Sequence, residues 1–268
     1  MIALVNKSTL LTTAQMAILA ALLTAQDAQQ SAPAYGMTPE TASVCDQAQV
    51  PKGTQAIVFV DDADEPGALG YHVDEGGFAS AIVGVKTIYD SGGTFATGSN
   101  SVTVTAGHEW IEMRVDPATN RWRDNGAGGM QIEEPGDPVE NDSGNSIGIT
   151  DPTTGEIITC ACTNFVLPAY FDPQAKVGPY DYLGTLTAPF ALSAGGYVSL
   201  QSAPEDVHQI QAKHAGHEVH VFTRGDGSYL AHLVFGQSYP SAKKMRKVYS
   251  GRVARACARV EAATTKRE

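Results

Sequence analysis

Three short, largely apolar stretches precede residue 90: Ile2-Ala3-Leu4-Val5, Ala56-Ile57-Val58-Phe59-Val60 and residues 79–89. Apolar runs of this length, bounded by turn formers, read as buried strands. Between the first two, Met16, Leu19, Leu22 and Leu23 recur at helical spacing behind Thr12 and Thr13, which can cap, so a helix is predicted over 12–29. Residues 31–53, with their prolines, serines and threonines, read as loop. A second helix is predicted over 102–115, with caps from Ser99 or Ser101 and a stop at Asp116-Pro117, because the residue before a proline avoids helical geometry. The β-branched run Val102-Thr103-Val104-Thr105 weakens its first turn. From 118 to 165 Gly, Asn and Asp abound, with a hairpin around Asp151–Gly155. The chain then reads as strands and loops as far as Phe235, and as a basic helix over 241–261. The class is α+β: a mixed sheet from strands near 2–6, 55–60 and 79–88, the 12–29 helix behind it, and an irregular, β-rich C-terminal half.

With 268 residues, 43 % hydrophobic and 18 % charged, the chain makes one generous domain or two small ones, and disordered, collagenous and coiled-coil classes are excluded. No membrane span is expected, since the longest apolar run, Met16–Leu23, is far below the roughly 20 residues a bilayer needs. A signal peptide is not expected either, because Thr12, Thr13 and Gln15 interrupt the apolar stretch after Lys7. Cys45, Cys160, Cys162 and Cys257 are too scattered for a disulfide framework, which suits a reducing compartment or a virus particle. The net charge of −11 is split at Pro240: beyond it nine Lys and Arg face two Glu, a net +7, so the first 240 residues carry −18. An acidic body with a basic arm points to docking on nucleic acid or on another copy of the chain.

The candidate chemistry sits on the 102–115 helix. In His108-Glu109-Trp110-Ile111-Glu112, His108 and Glu112 are four residues apart and share a face, with Glu109 beside them. An imidazole and a carboxylate at this spacing can share a Zn²⁺, and the neighbouring carboxylate is placed to take a proton from water. The most economical third ligand is Glu134, in Glu133-Glu134-Pro135-Gly136-Asp137, on a loop that can return over the helix. Asp137 either joins the metal or accepts the other N–H of His108 and orients its ring.

These residues carry a resemblance. Ala3–Leu10, Asp61-Asp62-Ala63, Gly67–His72, His108-Glu109-x-x-Glu112 with Asp116-Pro117, Asn120, Trp122 and Asp124, and Glu134-x-Gly136-Asp137-Pro138-Val139-Glu140 are similar to a family of phage and prophage zincin-like proteins described as metallopeptidases. The likeness continues through Thr163-Asn164-Phe165, Pro168–Asp172, Asp181–Gly184 and Thr187–Phe190 to Gly195-Gly196-Tyr197. It implies a zincin-like fold, His108, Glu112 and Glu134 at a zinc ion, and Glu109 as base. It implies a zincin-like domain over 1–200, leaves 201–240 as a family-divergent extension packed on it, and the charge count marks 241–268 as a basic arm. A helix beneath an edge strand is the zincin arrangement, in which an extended peptide adds to the strand at 79–88. The function so implied is a structural component of a phage virion, in contact with copies of itself, other virion proteins or packaged DNA. The alternative is a zinc-dependent peptidase of virion maturation or cell-wall penetration. Glu112, in place of the usual second histidine, adds negative charge and makes metal binding more secure than catalysis.

Other features read as structure. Asp61, Asp62, Asp64 and Glu65 lack the alternating ligands of a calcium loop and form a solvated acidic turn. His214, His217, Glu218 and His220 fit no standard ligand spacing, and Cys160-x-Cys162 is a pair on one strand face. Trp110 and Trp122 are anchors, and Gly126, Gly128 and Gly129 make no phosphate loop.

Overall fold

In the computed structural model the described residues are 1–51, 53–63, 69–74, 79–126, 130–142 and 144–203, with strands at 206–211, 219–223 and 229–233; from residue 201 the description covers backbone alone. The chain opens with β1 (Ile2–Asn6) and α1 (Thr13–Gln26). Thr12 caps α1 reciprocally: its side chain accepts from the Gln15 N–H at 3.2 Å, and the Gln15 side chain accepts from the Thr12 N–H at 2.9 Å. A π turn over 27–31 leads into α2 (Ala32–Tyr35), which ends at Gly36 in the left-handed region. Then come β2 (Ala42–Val44), β3 (Ala56–Val60), β4 (Gly70–Asp74), β5 (Ala79–Gly84), α3 (Val85–Asp90) and α4 (Val102–Val115).

The first sheet has the order β2-β1-β3-β5-β4, parallel except for β4, which runs antiparallel along the edge. One face is covered by both long helices. Ile2, Leu4, Ile57, Phe59, Ala81 and Val83 from the strands pack in one cluster with Met16, Leu19 and Leu23 of α1 and with Val102, Ala106, Trp110 and Met113 of α4. Burying each of the Val, Leu, Ile, Phe and Met side chains among them contributes about 1.5–3 kcal/mol. α4 is enclosed all round: thirteen of its fourteen residues are buried, Arg114 excepted. Gly107 permits this, since a Cβ there would lie 2.6 Å from the Gln26 side chain of α1.

Short strands β6 (Trp122–Asp124) and β7 (Met130–Ile132) follow, then the hairpin β8 (Ser146–Thr150) and β9 (Ile157–Ala161). The second sheet adds β10 (Tyr197–Ala203), β11 (Asp206–Gln211), β12 (Val219–Thr223) and β13 (Tyr229–Leu233), in the antiparallel order β13-β12-β11-β10-β7-β6. The expected boundary at 200/201 falls inside β10, whose Leu200 pairs with Gln131 on one side and His208 on the other.

The architecture is mixed α+β with a mixed sheet, as expected, and differs in three places. The strand read over 79–89 stops at Gly84 and the chain turns into α3, where Val85 and Ile88, at helical spacing, are both buried. β5 therefore lies between β3 and β4, so the edge position expected for 79–88 belongs to β4 instead. The loop read over 31–53 contains α2 and β2, both too short to show a period. Among the described residues no helix is long and apolar enough to cross a membrane. The basic helix predicted over 241–261 lies outside the described residues.

Candidate metal centre

His108, Glu109 and Glu112 lie on one face of α4, whose first turn is capped by the Ser101 side chain accepting from the Val104 N–H. The helix stops at Asp116, fully buried, whose carboxylate accepts the N–H groups of Asn120 at 2.9 Å and Arg121 at 3.0 Å. That turn sends the chain back through β6 and β7, and residues 133–139 return over α4. Glu133 points away from the centre to Arg121 and Arg123. Pro135 O accepts from the Val166 N–H at 2.8 Å and Pro138 O from the Ser193 N–H at 3.0 Å. Gly196 presses on the same segment so closely that a Cβ there would meet Pro138 O at 2.0 Å. Val139 is anchored in a cluster with Val166, Tyr170, Phe171, Tyr180 and Leu186.

The loop brings Asp137 onto His108. His108 Nε2 is 3.1 Å from Glu112 Oε1 and 3.3 Å from Asp137 Oδ1, and the three side chains form one buried group able to hold a metal ion. Asp137 meets the same nitrogen as Glu112, Nε2, while Nδ1 faces Gly136. A Cβ on Gly136 would sit 2.5 Å from Nδ1, so glycine is the residue that admits the ring.

The sequence reading assigned no role to His72. It lies on β4, 2 % exposed, with Nδ1 3.4 Å from Glu109 Oε2 and 3.3 Å from Glu112 Oε2. Glu134 stands at the other side of this ring, Oε1 being 4.0 Å from Nε2. His72, Glu109 and Glu112 make a second buried group of metal-ligand geometry. Gly70 sets the approach: two residues before His72 on the same strand face, it lies so close to α4 that a Cβ would be 2.7 Å from the Thr105 methyl and 2.9 Å from Glu109 Oε1. The signal available in the sequence was this Gly70-x-His72 spacing.

Burial alone would push the His108 imidazole down. The Glu112 charge and the hydrogen bonds to Asp137 and Glu112 outweigh it and hold the group well above its ordinary range. Burial, aided by the Glu112 charge, drives the Asp137 carboxyl well up, while Tyr197 donates a hydrogen bond to it. Burial raises Glu140 to about 7.

The remaining candidates fall elsewhere. Asp61 accepts from Ser8 Oγ at 2.6 Å, the Thr9 N–H at 2.8 Å and Thr9 Oγ1 at 2.7 Å, tying β1 to β3; Asp64 and Glu65 are outside the described residues. Cys160 and Cys162 pack beside Leu22 and Ile147, and burial pushes the Cys162 thiol up to about 12. His214, His217 and Glu218 lie outside the described residues, and His220 is described as backbone on β12. Comparison with protein-family models, curated proteins and solved structures returns no match to this chain.

Two outcomes test the centre. Gly136 has φ −79° and ψ −37°, so Gly136→Ala is free of backbone strain. The added methyl is expected to turn His108 and weaken Zn²⁺ binding by roughly 10–100-fold, the scale for a group that orients a ligand, as read by isothermal titration. An unchanged affinity would show that the His108 ring is not held there.

The second outcome concerns pH. A group whose pKa rises on folding stabilises the fold below its unfolded value and loses that contribution as pH climbs through its folded value. His108, Asp137 and Glu140 all shift upward. Metal-free protein should therefore lose stability as pH rises, with the Glu140 contribution lost between 4.5 and about 7. Metal needs deprotonated ligands, so the rise in melting temperature on adding Zn²⁺ should be larger near pH ~8 than near pH ~5. Equal rises at both would contradict it.

Proposed function

We propose that the chain is a divalent-metal hydrolase of zincin-like architecture, with zinc as the ion and an extended peptide as the substrate class. The observation that carries this reading is the convergence of His108 Nε2, Glu112 Oε1 and Asp137 Oδ1 at 3.1 and 3.3 Å. Two donor atoms bound to one tetrahedral zinc at about 2.0–2.1 Å stand ~3.3 Å apart, so these separations suit a shared ion. The Gly136 cradle supports the fit, because a side chain there would displace the imidazole. One nitrogen and two oxygens also suit a borderline-to-hard divalent cation.

Two further features favour a zincin-like arrangement. The helix bearing His108 and Glu112 packs against β4, the antiparallel strand that ends the first sheet. Among the described residues β4 pairs on one side only, with β5, which leaves its other edge for an extended chain to add to. The ion would supply Lewis acidity, polarising a carbonyl and making a nearby water more acidic. The chain holds that ion and lines up the substrate. Fold alone does not establish activity, so the reading stands on the donor set.

Metal-loaded full-length protein is expected to cleave members of a peptide library, to lose the activity with chelator and to regain it with Zn²⁺. His108→Gln should lower metal content and melting temperature together, since an ion that binds only the folded state stabilises it by mass action. Wild-type protein that takes up no stoichiometric metal would overturn the reading.

A role in assembly of a phage particle is a second proposal, favoured by the change from −18 to +7 at Pro240. In it the basic arm docks on the acidic body of a neighbouring copy, on other virion proteins or on packaged DNA. Truncation after Pro240 should leave a folded monomer that no longer assembles, as followed by sedimentation. Unchanged assembly would remove this role, and binding that falls steeply with salt would identify DNA as the target.

A further inference from the structure

We propose that Glu112 bridges two divalent cations, the second held by His72 Nδ1, Glu109 Oε2 and Glu112 Oε2. The inference rests on the first ion being held by His108, Glu112 and Asp137, and adds a position that neither the His-Glu-x-x-Glu spacing nor its resemblance supplies.

The key observation is that the two oxygens of one buried carboxylate face different imidazoles. Glu112 Oε1 is 3.1 Å from His108 Nε2, and Glu112 Oε2 is 3.3 Å from His72 Nδ1. Glu109 Oε2 is 3.4 Å from that same Nδ1. The donor atoms of His72, Glu109 and Glu112 all lie within 4.8 Å of one another, as do those of His108, Glu112 and Asp137. The competing account is a protonated His72 clamped between two carboxylates. Charge-assisted N–H···O bonds close to about 2.7–2.9 Å, whereas neighbouring donors around a tetrahedral ion stand ~3.3 Å apart. Separations of 3.3 and 3.4 Å match the second geometry.

Charge points the same way. Glu109, Glu112, Glu134 and Asp137 are each at most 4 % exposed, and together they bring four formal negative charges into one enclosed volume. His72 and His108 face these carboxylates, and as ligands both are neutral. Carboxylates so enclosed carry a large desolvation cost unless protons or cations offset their charge, and two divalent cations would balance the set. Paired ions in hydrolytic sites stand roughly 3.5–4 Å apart, a span that the two oxygens of one carboxylate can bridge.

The surrounding residues acquire roles from this. Glu134, 4.0 Å from His72 Nε2, lies on the ring side away from the ion, where a carboxylate favours the tautomer with Nδ1 free to ligate. Gly70 permits the close approach of β4 to α4 that delivers His72. Glu109 becomes a ligand, in place of the proton acceptor that the His-Glu-x-x-Glu resemblance implies. The cations fitting one nitrogen and two oxygens at each position are divalent first-row ions such as Mn²⁺ and Zn²⁺.

The test is metal stoichiometry and magnetic coupling in the full-length protein. Metal-free protein is loaded separately with Zn²⁺ and Mn²⁺, freed of excess ion, and its metal-to-protein ratio measured by elemental analysis. Two equivalents of either ion are expected, and the Mn²⁺ form should show the electron paramagnetic resonance spectrum of an exchange-coupled pair. His72→Gln should hold one equivalent, with the six-line signal of an isolated Mn²⁺. Glu109→Gln is read the same way and decides the matter if His72→Gln does not fold. One equivalent in the wild type, unchanged in these variants, overturns the second position and leaves the first standing. Two equivalents without coupling overturn the Glu112 bridge, and no bound metal removes both positions.

Discussion

Concentrating four buried carboxylates and two imidazoles among one helix, one edge strand and the loop at 133–139 is the constraint to which the rest of this structure answers. Like charges so enclosed repel strongly unless something cancels them. Without an ion protons do so, which is why His108 and Asp137 both hold theirs well above the ordinary range. The same donors are placed so that they could hold a cation. The centre is thus poised between proton and metal, and its net contribution to stability depends on which is bound.

The packing around the centre keeps these groups from moving apart. α4 is packed against α1, the first sheet and residues 161–165: Thr103 Oγ1 donates to Ala161 O at 2.8 Å, and Gln26 of α1, which donates to Thr163 O at 3.0 Å, lies against Gly107. Glycine is required where backbones meet side chains most closely. Gly70 lets β4 lie against Glu109, Gly136 admits the His108 ring, and Gly196 lets β10 approach Pro138. The first two fix one imidazole each, so the arrangement of these donor groups is inherited from backbone packing more than from side-chain freedom.

Much of this was legible along the chain because it is local. The limits of α4 follow from a capping Ser101 and the Asp116-Pro117 stop, and β1, α1 and β3 follow from apolar run lengths and the Thr12 cap. The loop acids were legible as a cluster and Asp137 as a partner of His108, although the approach of Glu134 to His72 was not. Two residues separate Glu134 from Asp137 in sequence, yet the turn at Gly136 sends one toward His72 and the other onto His108 Nε2. The second half of 79–89 was misread because β-branched residues suit a strand, while here a helical turn buries Val85 and Ile88.

The sequence by itself determined the α+β class, the helix, and the placing of His108 and Glu112 on one face, because helical spacing is a property of the covalent chain. Only the tertiary structure decided that β4 and not β5 takes the edge, and that His72 arrives from 37 residues before Glu109 to meet its carboxylate. It also decided that the two oxygens of Glu112 are shared between different imidazoles. The physical reason is that sheet order and the approach of a strand to a helix depend on which distant surfaces bury each other, and no spacing along the chain encodes that distance.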